Sequence, residues 1–112
     1  MQDEKGKVGI VGEMRFNMRV YISGGITGVP DYKEHFEYAE KKLKEHGYEV
    51  VNPAKINALL PTSCTHEEYM KVSIAELSVC DAIYLLMGYE NSKGAAEELF
   101  YAIHNKYTIM KE

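Results

Sequence analysis

The run Ala82-Ile83-Tyr84-Leu85-Leu86-Met87 constrains the fold most, because six nearly continuous apolar residues leave no polar face to turn toward water. A strand of that kind belongs in the covered centre of a parallel sheet, with helices on both sides. The rest of the chain supplies what such a sheet needs. Met18 to Ser23 is a short β-prone run that leads into the loop Gly24 to Pro30. Asp31 to His46 reads as a helix, with Asp31 as N-cap, Glu34 three residues on, a stripe of Tyr32, Phe36, Ala39 and Leu43, and Gly47 as terminator. Tyr48 to Asn52 is a second strand, stopped by Pro53, and Ile56 to Leu60 is a candidate helical turn. Thr65 and Glu68 form a capping box, opening a helix whose inner stripe is Met70, Ser73, Ile74 and Leu77. After the apolar strand come the loop Gly88 to Gly94, a helix carrying Glu97 and Glu98, and a last strand at Tyr107 to Met110.

This βα alternation predicts an α/β domain: a flavodoxin-like open parallel sheet of about four to five strands, with right-handed crossovers and helices on both faces. Ligands in such sheets bind beyond the carboxyl ends of the strands. That rim gathers three loops, Gly24 to Pro30, Asn52 to Lys55 and Gly88 to Gly94.

On the helix after the third loop, Glu98 shares a face with Ala95, Ala102 and, beside them, Leu99, whereas Glu97 aligns with Tyr101 and His104 on a more polar side. Glu98 is therefore expected to point inward. An inward carboxylate among alanines is costly unless partnered, and the alanines leave room for a ligand. Glu97 needs no more than the helix dipole. Gly24, Gly25 and Gly28 could let backbone N–H groups approach a phosphate, with Thr27 adding a hydroxyl, or they could form a plain turn. Ser92 beside Gly94 reads equally as an N-cap or an anion donor. Tyr21, leading to the same rim, is by its residue type a core position.

Composition closes off other classes. With 112 residues, 46% of them hydrophobic and a net charge of −4, the chain fits one small globular domain without the basic excess a nucleic-acid polymer would demand. Cys64 and Cys80 lack the spacing of a metal or disulfide framework. No apolar run approaches the roughly 20 residues of a membrane span, so a cytoplasmic address is the default expectation.

Three segments, RVYISGGITG at Arg19 to Gly28, GYEVVNPA at Gly47 to Ala54, and CDAIYLLMGYENSKGAAEE at Cys80 to Glu98, resemble the nucleoside 2-deoxyribosyltransferase-like superfamily. They are closest to its small phage and bacterial branch, and are similar to the 2'-deoxynucleoside 5'-phosphate N-hydrolases. The resemblance implies that Glu98, four residues after Gly94, attacks the sugar anomeric carbon, and that Tyr21 orients it. It implies that Ser92, where free-nucleoside transferases carry an aspartate, marks a 5'-monophosphate substrate. Gly24, Gly25, Ile26 and Thr27 would line the sugar-phosphate pocket.

One position departs from the pattern. The superfamily's leaving-group acid is an aspartate eight residues before Asp81, and here that residue is Ser73, which cannot act as a comparable acid. Either Glu76 or Glu90 replaces it, or catalysis is weak or absent. Tyr89 is a candidate to stack on the base.

The implied chemistry is a covalent glycosyl-glutamate released by water or a second base, with hydrolysis favoured, and it requires no metal or redox cofactor. The rivals are an inactive nucleotide-binding module and, more weakly, a phosphoacceptor or flavin domain. A homodimer or larger assembly is expected, since a small core leaves apolar helix surface to cover. Residues 1–17 have no counterpart in the superfamily; they are expected to form a mobile extension or, through Lys7 to Met14, an edge strand. The domain proper is expected over residues 18–112.

Overall fold

The structure, a computed structural model, describes residues 17–112. The edge strand expected at Lys7 to Met14 lies outside the described residues. Strand β1 spans Arg19–Ser23, helix α1 Tyr32–Glu45, β2 Glu49–Val51, α2 Pro53–Asn57, α3 His66–Leu77, β3 Ala82–Leu85, α4 Lys93–His104 and β4 Thr108–Lys111. A 3-10 turn at Tyr89–Asn91 precedes α4.

All three strand pairings are parallel, in the order β2-β1-β3-β4. Tyr21 lies opposite Val51 on one side and Ile83 on the other, and Ser23 opposite Leu85. The expected α/β architecture is therefore present, with four strands among the described residues.

The side-chain period of two divides β1 between two cores. Val20 and Ile22 pack with Phe36, Ala39 and Leu43 of α1. Tyr21 packs on the opposite face with Leu77 of α3, Ile83 of β3 and Ala102 of α4. Both faces of the central strands are thus covered, the condition that the continuous apolar run at β3 foretold. That run overreaches at its end: Met87 is 83% exposed, because the ladder stops at Leu85 and the chain turns away through Gly88 at φ +87.

Local chemistry accounts for most boundaries. The α3 capping box forms in both directions, Thr65 Oγ1 accepting from the Glu68 amide at 3.1 Å and Glu68 Oε1 from the Thr65 amide at 2.8 Å. Gly47 ends α1 at φ +91, a conformation that costs other residues about 1 kcal/mol. Asp31 stands at the N-cap of α1 but its side chain does not bond the first turn. It pairs instead with His35 at 3.0 Å, so the box expected with Glu34 is absent.

A second correction falls between Asn52 and Leu60. Asn52 to Lys55 is not a free rim loop, and the helical turn lies earlier than Ile56 to Leu60. Pro53 both ends the strand and occupies the first turn of α2, where its missing N–H costs nothing, and Asn52 caps that turn by accepting from the Ala54 amide at 3.0 Å. The Asn52 amide also donates to Glu40 at 3.0 Å. Glu40 is a buried carboxylate of α1 that the apolar stripe did not reveal. Burial alone would raise its pKa, yet hydrogen bonds from Lys44, Asn52 and Lys55 lower it to about 2. Lys44 and Lys55 reach it at 2.7 Å and 3.1 Å.

Candidate active site

Helix α4 begins where Ser92 caps it, Oγ accepting from the Ala95 amide at 3.1 Å. From that start the 3.6-residue period turns Ala95, Glu98 and Ala102 inward, and all three are buried. Glu97 points to the surface and meets His66 of α3 at 3.0 Å. The two adjacent carboxylates are separated as the helical face requires.

Glu98 is 7% exposed and receives two hydroxyl hydrogen bonds. Tyr21 donates to Oε2 at 2.6 Å, and Ser23 donates to Oε1 at 2.6 Å. Tyr21 and Ser23 are two apart on β1 and so share its α3/α4 face. Distances this short are typical of hydroxyls donating to an ionised carboxylate, and they fix the plane of the group while leaving a lone pair on each oxygen. Burial raises the Glu98 pKa to about 7; the Ser23 and Tyr21 hydrogen bonds act in the opposite sense, and the nearby Glu97 adds to the rise. Burial and the Glu98 charge push the Tyr21 phenol well above its usual range.

A second carboxyl shares this environment. Glu76 of α3 has both carboxyl oxygens buried without a hydrogen-bond partner. Burial, then the charge of Glu98, raises its pKa to about 7. It sits one helical turn beyond Ser73. Because α3 runs antiparallel to the strands, that turn is farther from the rim. Ser73 is buried and its Oγ accepts from the Asn57 amide of α2 at 2.9 Å. Glu90 is exposed on the 3-10 turn.

The rim loops converge on the start of α4. A Cβ on Gly25 would stand 3.8 Å from Ser92 Cβ, and one on Gly94 3.4 Å from Met70 Sδ, so β1, α3 and α4 meet closely here. A Cβ on Gly24 would lie 2.9 Å from the Leu86 side chain, so this glycine admits Leu86 to the core. Thr27 is exposed, and Ile26 packs against the α1 core. Tyr89 is partly buried against the α3/α4 core, with the Lys111 ammonium 5.7 Å from its ring centre.

Among the described residues no group of three or more His, Cys, Asp or Glu side chains could hold a metal ion, and no helix is long and apolar enough to cross a membrane. Cys64 and Cys80 form no disulfide. A shallow depression along the solvent side of α1, between Lys33, Glu37 and Lys41, lies across the sheet from Glu98.

Sequence reasoning placed Glu98 and Tyr21 and named Glu76, but missed Ser23 and Asn57. Ser23 was within reach, since strand periodicity puts it on the Tyr21 face. Asn57 and the proximity of Glu76 to Glu98 arise from helix packing and left no local signal.

The fold is shared with a solved enzyme: a 2-deoxyribosyltransferase of the psychrotolerant bacterium Bacillus psychrosaccharolyticus matches with a TM-score of 0.66 and 18% sequence identity, over 83% of this chain and 70% of that one. The chain itself belongs to the family described as Domain of unknown function (DUF4406), whose model matches residues 18–111. Among curated proteins none matches the chain.

Proposed function

We propose that this protein breaks the N-glycosidic bond of a (deoxy)nucleoside 5'-monophosphate, passing the sugar to water or, less readily, to a second base. The single observation that carries the reading is the buried Glu98 carboxylate held on both oxygens by Tyr21 and Ser23 at 2.6 Å. A carboxylate so fixed can attack the anomeric carbon. The C1'–N bond then breaks, the base leaves with the bonding pair and takes a proton, and water releases the sugar from Glu98 with retention. Similarity in fold to a 2-deoxyribosyltransferase supports the same chemical class.

Ser92, Gly25 and the start of α4 offer a hydroxyl and backbone N–H groups for the 5'-phosphate. Ser92 keeps its own hydroxyl proton for this while it caps the helix. No metal or redox cofactor is needed. The exposed Phe100 and Ile103 on the outer face of α4 support a homodimer or larger assembly.

A nucleotide-binding module without turnover is the second reading, favoured by one observation: Ser73, engaged by Asn57, offers no carboxylic acid to the leaving base. Incubation with a panel of nucleoside and deoxynucleoside monophosphates, with chromatography for free base, separates the two. Release that is lost in Glu98→Ala and largely kept in Glu97→Ala is the expected result. Equal losses in both variants refute the nucleophile, and a nucleotide-dependent rise in melting temperature without release establishes the module.

A further inference from the structure

The rim segment between β3 and α4 is held from the end of β4. The Glu112 backbone N–H donates to the Leu85 carbonyl at 2.9 Å, one rung past the pairing of Leu85 with Lys111. In a parallel ladder the carbonyl of that same residue would take the next rung, from the Met87 amide. The Glu112 carboxylate takes it instead, the Met87 N–H donating to Oε1 at 2.8 Å. Pairing of β3 thus ends on a charge-assisted side-chain bond, and the chain turns away at Gly88, φ +87.

Beyond that bond the amides of the segment are used in succession. Tyr89 donates to the Leu86 carbonyl at 3.1 Å, Asn91 to Gly88 at 3.0 Å and Ser92 to Tyr89 at 3.0 Å. The last of these places Ser92, whose hydroxyl caps α4. Lys111 holds the middle of the segment. Met110 packs against the α1 core, so Lys111, next along the strand, faces the α3/α4 side, where its ammonium lies 5.7 Å from the centre of the Tyr89 ring. On the other side of β3 the Leu86 N–H donates to the Ser23 carbonyl at 2.8 Å, so the segment leaves the sheet beside the strand that holds Glu98.

Resting on the reading of Ser92 as part of the nucleotide's phosphate site, we propose that Lys111 and Glu112 are positioning residues that clamp residues 87–92 and so set the place of Ser92 at the rim. Glu112 acts through the Met87 amide and Lys111 through the Tyr89 ring. The clamp therefore governs nucleotide affinity and leaves the chemistry at Glu98 alone.

Glu112→Ala removes the acceptor of the Met87 amide and keeps the backbone rung to Leu85, whereas Glu112→Gln keeps an oxygen in the same place. In Glu112→Ala, amide exchange at Met87, Asn91 and Ser92 should quicken about threefold to tenfold while that of Ala102 in α4 stays as in wild type. KM for a nucleoside monophosphate should rise about threefold to fivefold, with kcat within about twofold of wild type. Lys111→Met should raise KM about twofold to threefold. Glu112→Gln should restore both exchange and KM.

Wild-type exchange in Glu112→Ala overturns the proposal, and so does quicker exchange with an unmoved KM, which leaves the two residues a structural role only. Glu112→Gln behaving as Glu112→Ala overturns the Met87 bond as the cause. A wild type that releases no base refutes the proposed activity instead; the dissociation constant of the same monophosphate, from calorimetry, then stands in for KM, and a chain that binds none overturns the positioning role.

Discussion

Glu98→Gln should remove a large part of the pH dependence of stability between about pH 5 and 8. In the folded state the Glu98 pKa is raised from 4.5 to about 7, by burial first and by the Glu97 charge in addition, against the two hydroxyl hydrogen bonds. A carboxyl whose folded pKa lies above its unfolded value binds its proton more tightly when folded. Its contribution is therefore fully present below the unfolded pKa and is lost as pH rises through the folded one. At about 1.4 kcal/mol per unit, the rise corresponds to about 3 kcal/mol lost by wild type between pH 4.5 and 8. Glu76 moves in the same direction, also to about 7, so part of the loss remains when Glu98 is replaced. Glu40 is depressed to about 2 and titrates outside this window. Glutamine keeps the shape and cannot ionise, so the variant should lose markedly less stability than wild type between pH 5 and pH 8. Thermal melts at half-unit pH intervals check this, since a wild-type loss of that size is worth roughly 10 °C or more in Tm for a domain of this length. A slope in Glu98→Gln equal to that of wild type refutes the account of Glu98 as a buried, high-pKa carboxyl.

Ser92→Asp should keep α4 capped, since aspartate is as good an N-cap as serine, while repelling a 5'-phosphate. Relative kcat/KM for a monophosphate and its nucleoside should reverse in favour of the nucleoside, and a wild type that already prefers the nucleoside contradicts the phosphate site. Gly24→Ala should destabilise the fold by about 1–3 kcal/mol in urea denaturation, because its Cβ would meet the Leu86 side chain at 2.9 Å; an unchanged midpoint shows that Leu86 can move aside. Light scattering at micromolar concentration should give a dimer or larger, and Phe100→Glu should dissociate it; a wild-type monomer removes the assembly proposal.

The sequence by itself determined the order and type of the elements and the orientation of the key carboxylate. Those properties follow from short-range periodicity: an apolar run at β3 that tolerates no wet face, a capping box at Thr65 and Glu68, and a 3.6-residue repeat that sends Glu98 inward and Glu97 outward. Where local signals competed, the sequence was ambiguous. Asp31 could bond the first turn of α1 or His35, and Pro53 could end a strand or begin a helix, and only packing chose. The surroundings of Glu98 lay beyond sequence periodicity altogether. Tyr21 and Ser23 reach it across 77 and 75 residues of chain, and Asn57 reaches Ser73 across 16. Such contacts exist only once β1 is seated between β2 and β3 with α3 and α4 on its Tyr21 face. The burial that raises the Glu98 and Glu76 pKa values is likewise a property of the assembled layers, because no carboxyl is desolvated by its sequence neighbours alone.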